Sequence, residues 1–347
     1  MQTTRRALLQ AAAAGAALPL LKAEPASAQS ANALGSRLMG EEKFITIDGI
    51  RTRYFEGGSG KALVLVQGGQ WPASSSAEDW APIFDHLAAN FRVYAFDKLG
   101  MGYTDNPQRD EDWSMQAVSR HAIGFVDAMG VGDAVICGHS RGALPAARIA
   151  IERPALVSHF IVLDSNALAS DEIRLSERGD PPVRKAPPTR DEIRAAEMRS
   201  VLTYKKDHVT DARIESLWRI AQQPKIAAAD RKFAELRDKW IRDNPEKAKA
   251  NPLIANNAGS ATWWMADHKH ETLDMIRAGK LKAPTGIIWG WNDPFAPYAL
   301  GLDTMQTFAK VVPRTELHIV NHASHILFSD QPEAVARLMT QFVQASV

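Results

Sequence analysis

The chain has 347 residues, 45% of them hydrophobic and 23% charged, a composition that excludes disordered, collagen-like and mucin-like chains. Lys and Arg number 41 and Asp and Glu 40, so the basic surplus by which a nucleic-acid binder neutralises phosphates is missing. The single cysteine, Cys137, excludes an intrachain disulfide and a thiolate zinc site.

The N-terminus reads Thr4-Arg5-Arg6-Ala7-Leu8-Leu9, then an alanine- and leucine-rich run to Leu21, then Pro25-Ala26-Ser27-Ala28. Paired arginines, an apolar stretch and an A-x-A cut site predict a twin-arginine export signal over residues 1–28 and a periplasmic or secreted bacterial protein. The apolar run is about 15 residues, short of the ~20 of a spanning helix, so no stable membrane span is expected. A retained anchor is the alternative. Cleavage removes Arg5, Arg6, Lys22 and Glu24, which leaves 38 basic and 39 acidic residues.

Residues 44–55 alternate apolar and polar around Asp48-Gly49, the pattern of a β-hairpin. Continuous apolar runs follow at 62–66, 93–96, 134–137 and 160–163, as in parallel strands buried on both faces. Between them, residues 78–90, 114–129 and 141–152 carry helical periodicity. The alternation predicts a doubly wound, mostly parallel sheet flanked by helices. Residues 166–282 break it, with helical patterns at 191–202 and 211–222 and no convincing strand. The sheet pattern resumes at Gly286-Ile287-Ile288-Trp289, with a helix near 299–310, a strand at 316–320 and a last helix over 332–345. The expected organisation is a core of residues 29–165 and 283–347, with a helical lid of residues 166–282 inserted after the sixth strand.

Gly138-His139-Ser140-Arg141-Gly142 lies between a predicted strand and a predicted helix, the context of a G-x-S-x-G nucleophile elbow. A serine hydroxyl needs a general base and a group that orients the base. Asp293 follows the strand ending Trp289-Gly290, and His325 follows the strand ending Val320, in the required chain order. Asp164, at the end of the preceding strand, competes for the acid role, although capping the start of the insertion suits it better. His322 competes for the base role. His139 is expected to point away from Ser140 and pack. The oxyanion hole is expected from the backbone N–H groups of Arg141 and Gly69, the latter in Gln67-Gly68-Gly69-Gln70-Trp71-Pro72, where a glycine permits close approach to substrate. His268 and His270 have no accompanying ligand set, so neither a metal nor a cofactor is expected. The expected partner is a small-molecule substrate, with the oligomeric state open.

Together these residues resemble the α/β-hydrolase superfamily from about residue 44 onward. Asp97-Lys98-Leu99-Gly100-Met101-Gly102-Tyr103-Thr104-Asp105-Asn106-Pro107 is similar to a loop of one branch, the meta-cleavage-product hydrolases, which cut a C–C bond in ring-opened aromatics. Ser114-Met115, Asp127-Ala128-Met129-Gly130-Val131, and the stretch from Thr203-Tyr204 to Val209-Thr210-Asp211 are similar to further parts of it. The resemblance implies the α/β-hydrolase fold, His325 rather than His322 as base, and Asp293 as the acid. The chain departs from the branch in several places. Gln67-Gly68 stands for His-Gly, and Gln70-Trp71-Pro72 for a Gly-Pro-Gly run. His139 stands for the Asn before the nucleophile, and Arg141 for a bulky apolar residue after it. Ile326 replaces the Trp after the base, and Leu217, with Arg213 and Arg219 nearby, stands where a carboxylate-binding arginine belongs.

These departures favour a serine hydrolase acting on a carboxylic ester, with C–C hydrolysis as the alternative and a binding protein on the same fold third. Trp218, Trp240, Trp263 and Trp264 point to an apolar or aromatic part of the substrate. The Ser140 nucleophile excludes the aspartate-nucleophile chemistries of this fold.

Overall fold

In a computed structural model of the chain, the described residues are 39–71, 75–170, 186–250 and 263–345, so the expected signal lies outside them. Eight strands form one sheet: β1 (Lys43–Ile47), β2 (Ile50–Gly57), β3 (Ala62–Val66), β4 (Arg92–Phe96), β5 (Ala134–His139), β6 (Val157–Leu163), β7 (Thr285–Gly290) and β8 (Thr315–Val320). Their order is β1-β2-β4-β3-β5-β6-β7-β8. The first two pairings, β1 with β2 and β2 with β4, are antiparallel, and the remainder are parallel. The hairpin strand β1 alternates in exposure, whereas β3, β5 and β7 are buried almost throughout, as their continuous apolar runs require.

Helices cover both faces. Val64, Val66, Ile136 and Val162 face α2 (Met115–Met129) and α3 (Ala143–Glu152), while Leu63, Leu65, Cys137 and Ile161 point the other way. That second face packs on α1 (Ala81–Ala88) and on a C-terminal helix at Pro332–Gln344. Each fully buried aliphatic side chain contributes about 1.5–3 kcal/mol, so both layers are needed to hold strands of this composition. The expected helix at 78–90 starts as a 3-10 turn (Ala77–Trp80), because Ser76 and Asp79 form a capping box there before α1 begins.

The described residues between β6 and β7 form helices: α4 (Arg190–Arg199), α5 (Asp211–Ala221), α6 (Pro224–Asp243), α7 (Pro245–Ala250) and α8 (Ala266–Arg277). Thr189 and Thr210 cap α4 and α5, and Pro224 opens α6 at a position where no N–H is missed. The helix expected at 191–202 stops at Arg199, since residues 201–205 run instead along the loop after β8. The remaining helices are α9 (Tyr298–Phe308), between β7 and β8, and α10 (Leu327–Asp330) and α11 (Pro332–Gln344), after that loop. No helix among the described residues is long and apolar enough to cross a membrane.

Strand order reverses at β3: the chain continues to β4 on one side and to β5 on the other. The crevice beyond the carboxyl ends of β3 and β5 is therefore a topological switch point. The turns that leave those two strands hold Gly69 and Ser140.

Candidate active site

Ser140 leaves β5 at φ +50°, a left-handed conformation unusual for a residue with a side chain. Two features sustain it. Ser165 Oγ donates to the Ser140 carbonyl at 2.7 Å. The flanking glycines leave no room for a Cβ: one on Gly138 would lie 2.5 Å from the Ala143 Cα, and one on Gly142 would collide with the carbonyls of Val66 and Gln67.

Ser140 Oγ lies 2.8 Å from His325 Nε2, and His325 Nδ1 lies 2.7 Å from Asp293 Oδ2. All three residues are buried. The other carboxylate oxygen of Asp293 accepts the N–H groups of Phe295 (2.7 Å) and Ala296 (3.0 Å), which fixes the carboxylate plane. Bonding to the carboxylate makes Nδ1 the protonated nitrogen and leaves Nε2 facing the hydroxyl as acceptor. The structure thus brings together the expected serine, histidine and aspartate. His322 is set apart: it is exposed, at φ +53°, with its ring stacked on Tyr204 5.4 Å away.

The histidine loop is clamped from three directions. The Ile326 N–H donates to the Leu202 carbonyl (2.7 Å), and Ser324 Oγ to the Val201 carbonyl (2.7 Å), so the insertion brackets His325. Asp330 gathers the N–H groups of Tyr204 (2.8 Å), Lys205 (2.7 Å) and Ser324 (2.8 Å). From below, His139 Nε2 donates to the His325 carbonyl at 2.8 Å. Burial, then the neighbouring His325, holds the His139 pKa well below its ordinary value, so the ring is neutral with one donor. His139 packs as expected, against Trp80 (6.2 Å) and Phe328 (5.0 Å), and in addition holds the His325 backbone.

Asp164 differs from expectation. It caps no helix; its Oδ2 accepts the Gly290 N–H (2.9 Å) at the end of β7, while Oδ1 is buried without a hydrogen-bond partner. Burial first, and Asp293 nearby, push its pKa well above the usual carboxylate range, which favours the neutral acid. Asp164, Asp293 and His325 each offer one donor atom within 4.8 Å of the others, the one such cluster of metal-ligating residue types among the described residues. The Asp293–His325 hydrogen bond already occupies two of its members.

On the other side of Ser140, the loop after β3 packs directly against the elbow: a Cβ on Gly68 would lie 2.7 Å from His139 Nδ1 and 3.1 Å from the Ser140 Cβ. Gly69 follows at φ +62°. The loop is stitched to the segment after β4. Gln67, its amide oriented to satisfy both ends, donates to the Phe96 carbonyl (2.7 Å) and accepts from the Lys98 N–H (3.1 Å). Lys98 Nζ donates to the Gly69 carbonyl (2.7 Å), and Gln70 Nε2 to the Leu99 carbonyl (3.0 Å). The two glutamines that depart from the branch's pattern are therefore structural cross-links of this loop. Sequence reasoning missed them and Lys98, since nothing in residue type or spacing pairs 67–70 with 96–99.

Aromatic side chains continue from this loop. Trp71 packs with Trp113 (4.8 Å between centroids), Phe233 (6.1 Å) and Trp264 (6.2 Å), and Trp263 joins through Phe233 (5.3 Å). The Arg141 guanidinium lies 5.5 Å from the Trp264 ring. Among the aromatic rings of the described residues Trp240 meets only Trp263, at 6.5 Å, and Trp218 lies elsewhere, under the Arg190 guanidinium at 3.5 Å. None of the residues around the expected carboxylate-binding position offers a cation to this wall: Leu217 is buried with Ile193 and Ile214, Arg213 pairs with Asp79 (2.8 Å), and Arg219 pairs with Glu215 (2.8 Å).

A model of the Alpha/beta hydrolase family matches residues 63–338. The chain is 26% identical over 303 residues to 2-hydroxy-6-oxo-6-(2'-aminophenyl)hexa-2,4-dienoic acid hydrolase of Metapseudomonas resinovorans, covering 87% of this chain and 90% of that one. It is 24% identical over 310 residues to 2-hydroxy-6-oxo-6-phenylhexa-2,4-dienoate hydrolase of Burkholderia cepacia, covering 87% and 96%. The solved meta-cleavage product hydrolase from Pseudomonas fluorescens IP01 superposes with a TM-score of 0.63 at 22% identity, over 88% of this chain and 97% of that one, a likeness of fold.

Proposed function

The chain belongs to the alpha/beta hydrolase family, and on that premise we propose that it is a serine hydrolase of the meta-cleavage-product type, cutting a C–C bond beside a ketone in a ring-opened aromatic acid. The observation that carries the reading is the hydrogen-bonded run Ser140–His325–Asp293 at the switch point, beside an aromatic wall. The names of the similar curated proteins supply the bond type. In this reading Ser140 Oγ attacks the ketone carbon while His325 Nε2 takes its proton. The oxyanion is held by the N–H groups of Gly69 and Arg141. The C–C bond then breaks, and its electron pair leaves with the dienoate carbon, which takes the proton from His325. Water, deprotonated by the same imidazole, releases the acyl group from Ser140 as a carboxylic acid. The Arg141 side chain, between the elbow and Trp264, suits the substrate carboxylate. The helical insertion serves as the lid over this site.

A second reading, hydrolysis of a carboxylic ester with an apolar or aromatic part, is favoured by the commitments of Arg213 and Arg219 and by the burial of Leu217. Both readings use the same acyl-transfer machinery and differ in the leaving atom. Purified mature protein assayed on a ring-opened phenyl dienoate and on p-nitrophenyl esters of rising chain length decides between them. Preferential dienoate cleavage supports the first reading, and ester turnover without dienoate turnover replaces it with the second. Export through the Arg5-Arg6 leader is also proposed, to be checked by cell fractionation of wild type against an Arg5→Lys, Arg6→Lys double variant.

A further inference from the structure

The residue after Asp97 is a lysine whose side chain is wholly buried. Burying an ammonium is costly unless it is well satisfied, and this one, with three donors, meets a single acceptor among the described residues, the Gly69 carbonyl at 2.7 Å. Gly69 is the residue that most needs such a tether. Without a Cβ it has the widest conformational freedom, yet at φ +62° it must hold its N–H toward the carbonyl oxygen that becomes negative above Ser140. The Gly69 N–H shares its peptide with the Gly68 carbonyl, which is held loosely: the Ser75 hydroxyl has one proton to place between that carbonyl (3.1 Å) and Asp79 Oδ2 (2.5 Å), so the firm Lys98 bond on the far side of the Gly69 Cα matters more.

We propose that Lys98 is a positioning residue for the oxyanion pocket: by holding the Gly69 carbonyl it fixes the peptide that follows the Gly69 Cα, which limits how the N–H on the other side of that Cα can turn, and it lends positive charge to that side of the site. The inference rests on the reading of Ser140 as nucleophile and of the Gly69 N–H as oxyanion donor. Lys98 does not touch substrate; it acts through the loop. The charged groups that bear on it are Arg141, which opposes its protonation, and Asp79, which favours it; burial is the larger influence and brings its pKa down to about 7.

The test compares two variants with wild type on whichever substrate the panel above identifies, with phenylboronic acid as a probe that forms a tetrahedral adduct on the serine. Lys98→Met keeps the length and removes donor and charge; Lys98→Gln keeps a donor without the charge. Loss of an oxyanion donor costs about 10²–10³-fold in kcat, so Lys98→Met is expected to lose about 10²-fold in kcat with KM within about threefold of wild type. Boronate affinity should weaken in parallel, and Lys98→Gln should regain about tenfold through its restored hydrogen bond. If the methionine variant does not fold, an isolated kcat and boronate defect in the glutamine variant makes the case. Wild-type kcat and boronate affinity in a folded Lys98→Met overturn the proposal, and so do kcat, KM and thermal stability falling together in both variants, the pattern of a merely structural lysine. If Ser140→Ala retains turnover, the serine reading itself falls and this inference goes with it.

Discussion

The two sides of Ser140 are built differently. On the histidine side, Asp293 and His325 present their own side chains in the loops after β7 and β8. On the side proposed for the oxyanion, the candidate groups are backbone N–H donors, and Gln67, Gln70 and Lys98 cross-link the loop after β3 to the segment after β4. Function carried by a side chain leaves a signature of residue type and position, whereas function carried by a peptide leaves only a glycine. The residues that steady that peptide need only be donors of the right reach.

The largest expected effect sharpens the histidine side. His325→Ala should lower kcat/KM by about 10³-fold or more, as loss of an oriented base does, while His322→Ala stays within about twofold. Steady-state kinetics on folded protein measure both, and a reversed order would move the base to His322. Asp293→Asn should cost about 10²–10⁴-fold, because the amide no longer selects the tautomer that Nε2 needs, and Asp164→Asn about tenfold or less. Equal losses at the two positions would mean that both carboxyls orient the imidazole.

Stability against pH should separate the two sides by sign. Asp164 has a raised folded pKa, so its favourable contribution is fully present below the unfolded value and is lost as pH rises toward the folded one. The advantage of Asp164→Asn over wild type in urea should therefore grow from pH 4 to pH 8. Lys98 has a lowered folded pKa, about 7 against 10.5, so the cost of its burial is complete below pH 7 and relieved above. The advantage of Lys98→Met should be greatest near pH 6 and shrink toward pH 10, by up to a few kcal/mol at about 1.4 kcal/mol per pKa unit. Parallel slopes for the two variants would contradict the assigned protonation states.

A smaller effect concerns the clamp from the insertion. Asp330→Asn weakens acceptance of the Tyr204, Lys205 and Ser324 N–H groups, each bond to a charged acceptor being worth about 1.5–3 kcal/mol. We expect faster amide exchange at Tyr204 and Lys205, a kcat reduced by about tenfold or less, and unchanged exchange in β5. Unchanged exchange at 204–205 would show that the insertion is held by other contacts.

Particular residues show where reading the sequence stops. Val64, Ile136 and Ile161 lie in strands because unbroken apolar runs fit a sheet covered on both faces, and Ser140 stands at a tight strand–helix turn that its flanking glycines permit because no Cβ would fit there. The hydrogen bonds of Asp164 and His139 have no local signature because they depend on which backbone atoms pass nearby: Gly290 N–H in one case, the His325 carbonyl in the other. Residue type alone groups Trp218 with the substrate wall, whereas in the fold it lies under the Arg190 guanidinium. The substitutions that led the ester reading to be ranked first are partly explained by the Gln67 and Gln70 cross-links, and the similar curated proteins support C–C cleavage better.

By itself the sequence determined the strand and helix alternation, the elbow and the chain order of serine, aspartate and histidine, since periodicity and local turn chemistry act over a few residues. Only the tertiary structure decided which carboxyl faces the imidazole, which carbonyl Lys98 holds and which arginines are committed elsewhere. Those outcomes depend on contacts between segments tens to hundreds of residues apart, and on the burial that sets each group's charge, neither of which has a local signature.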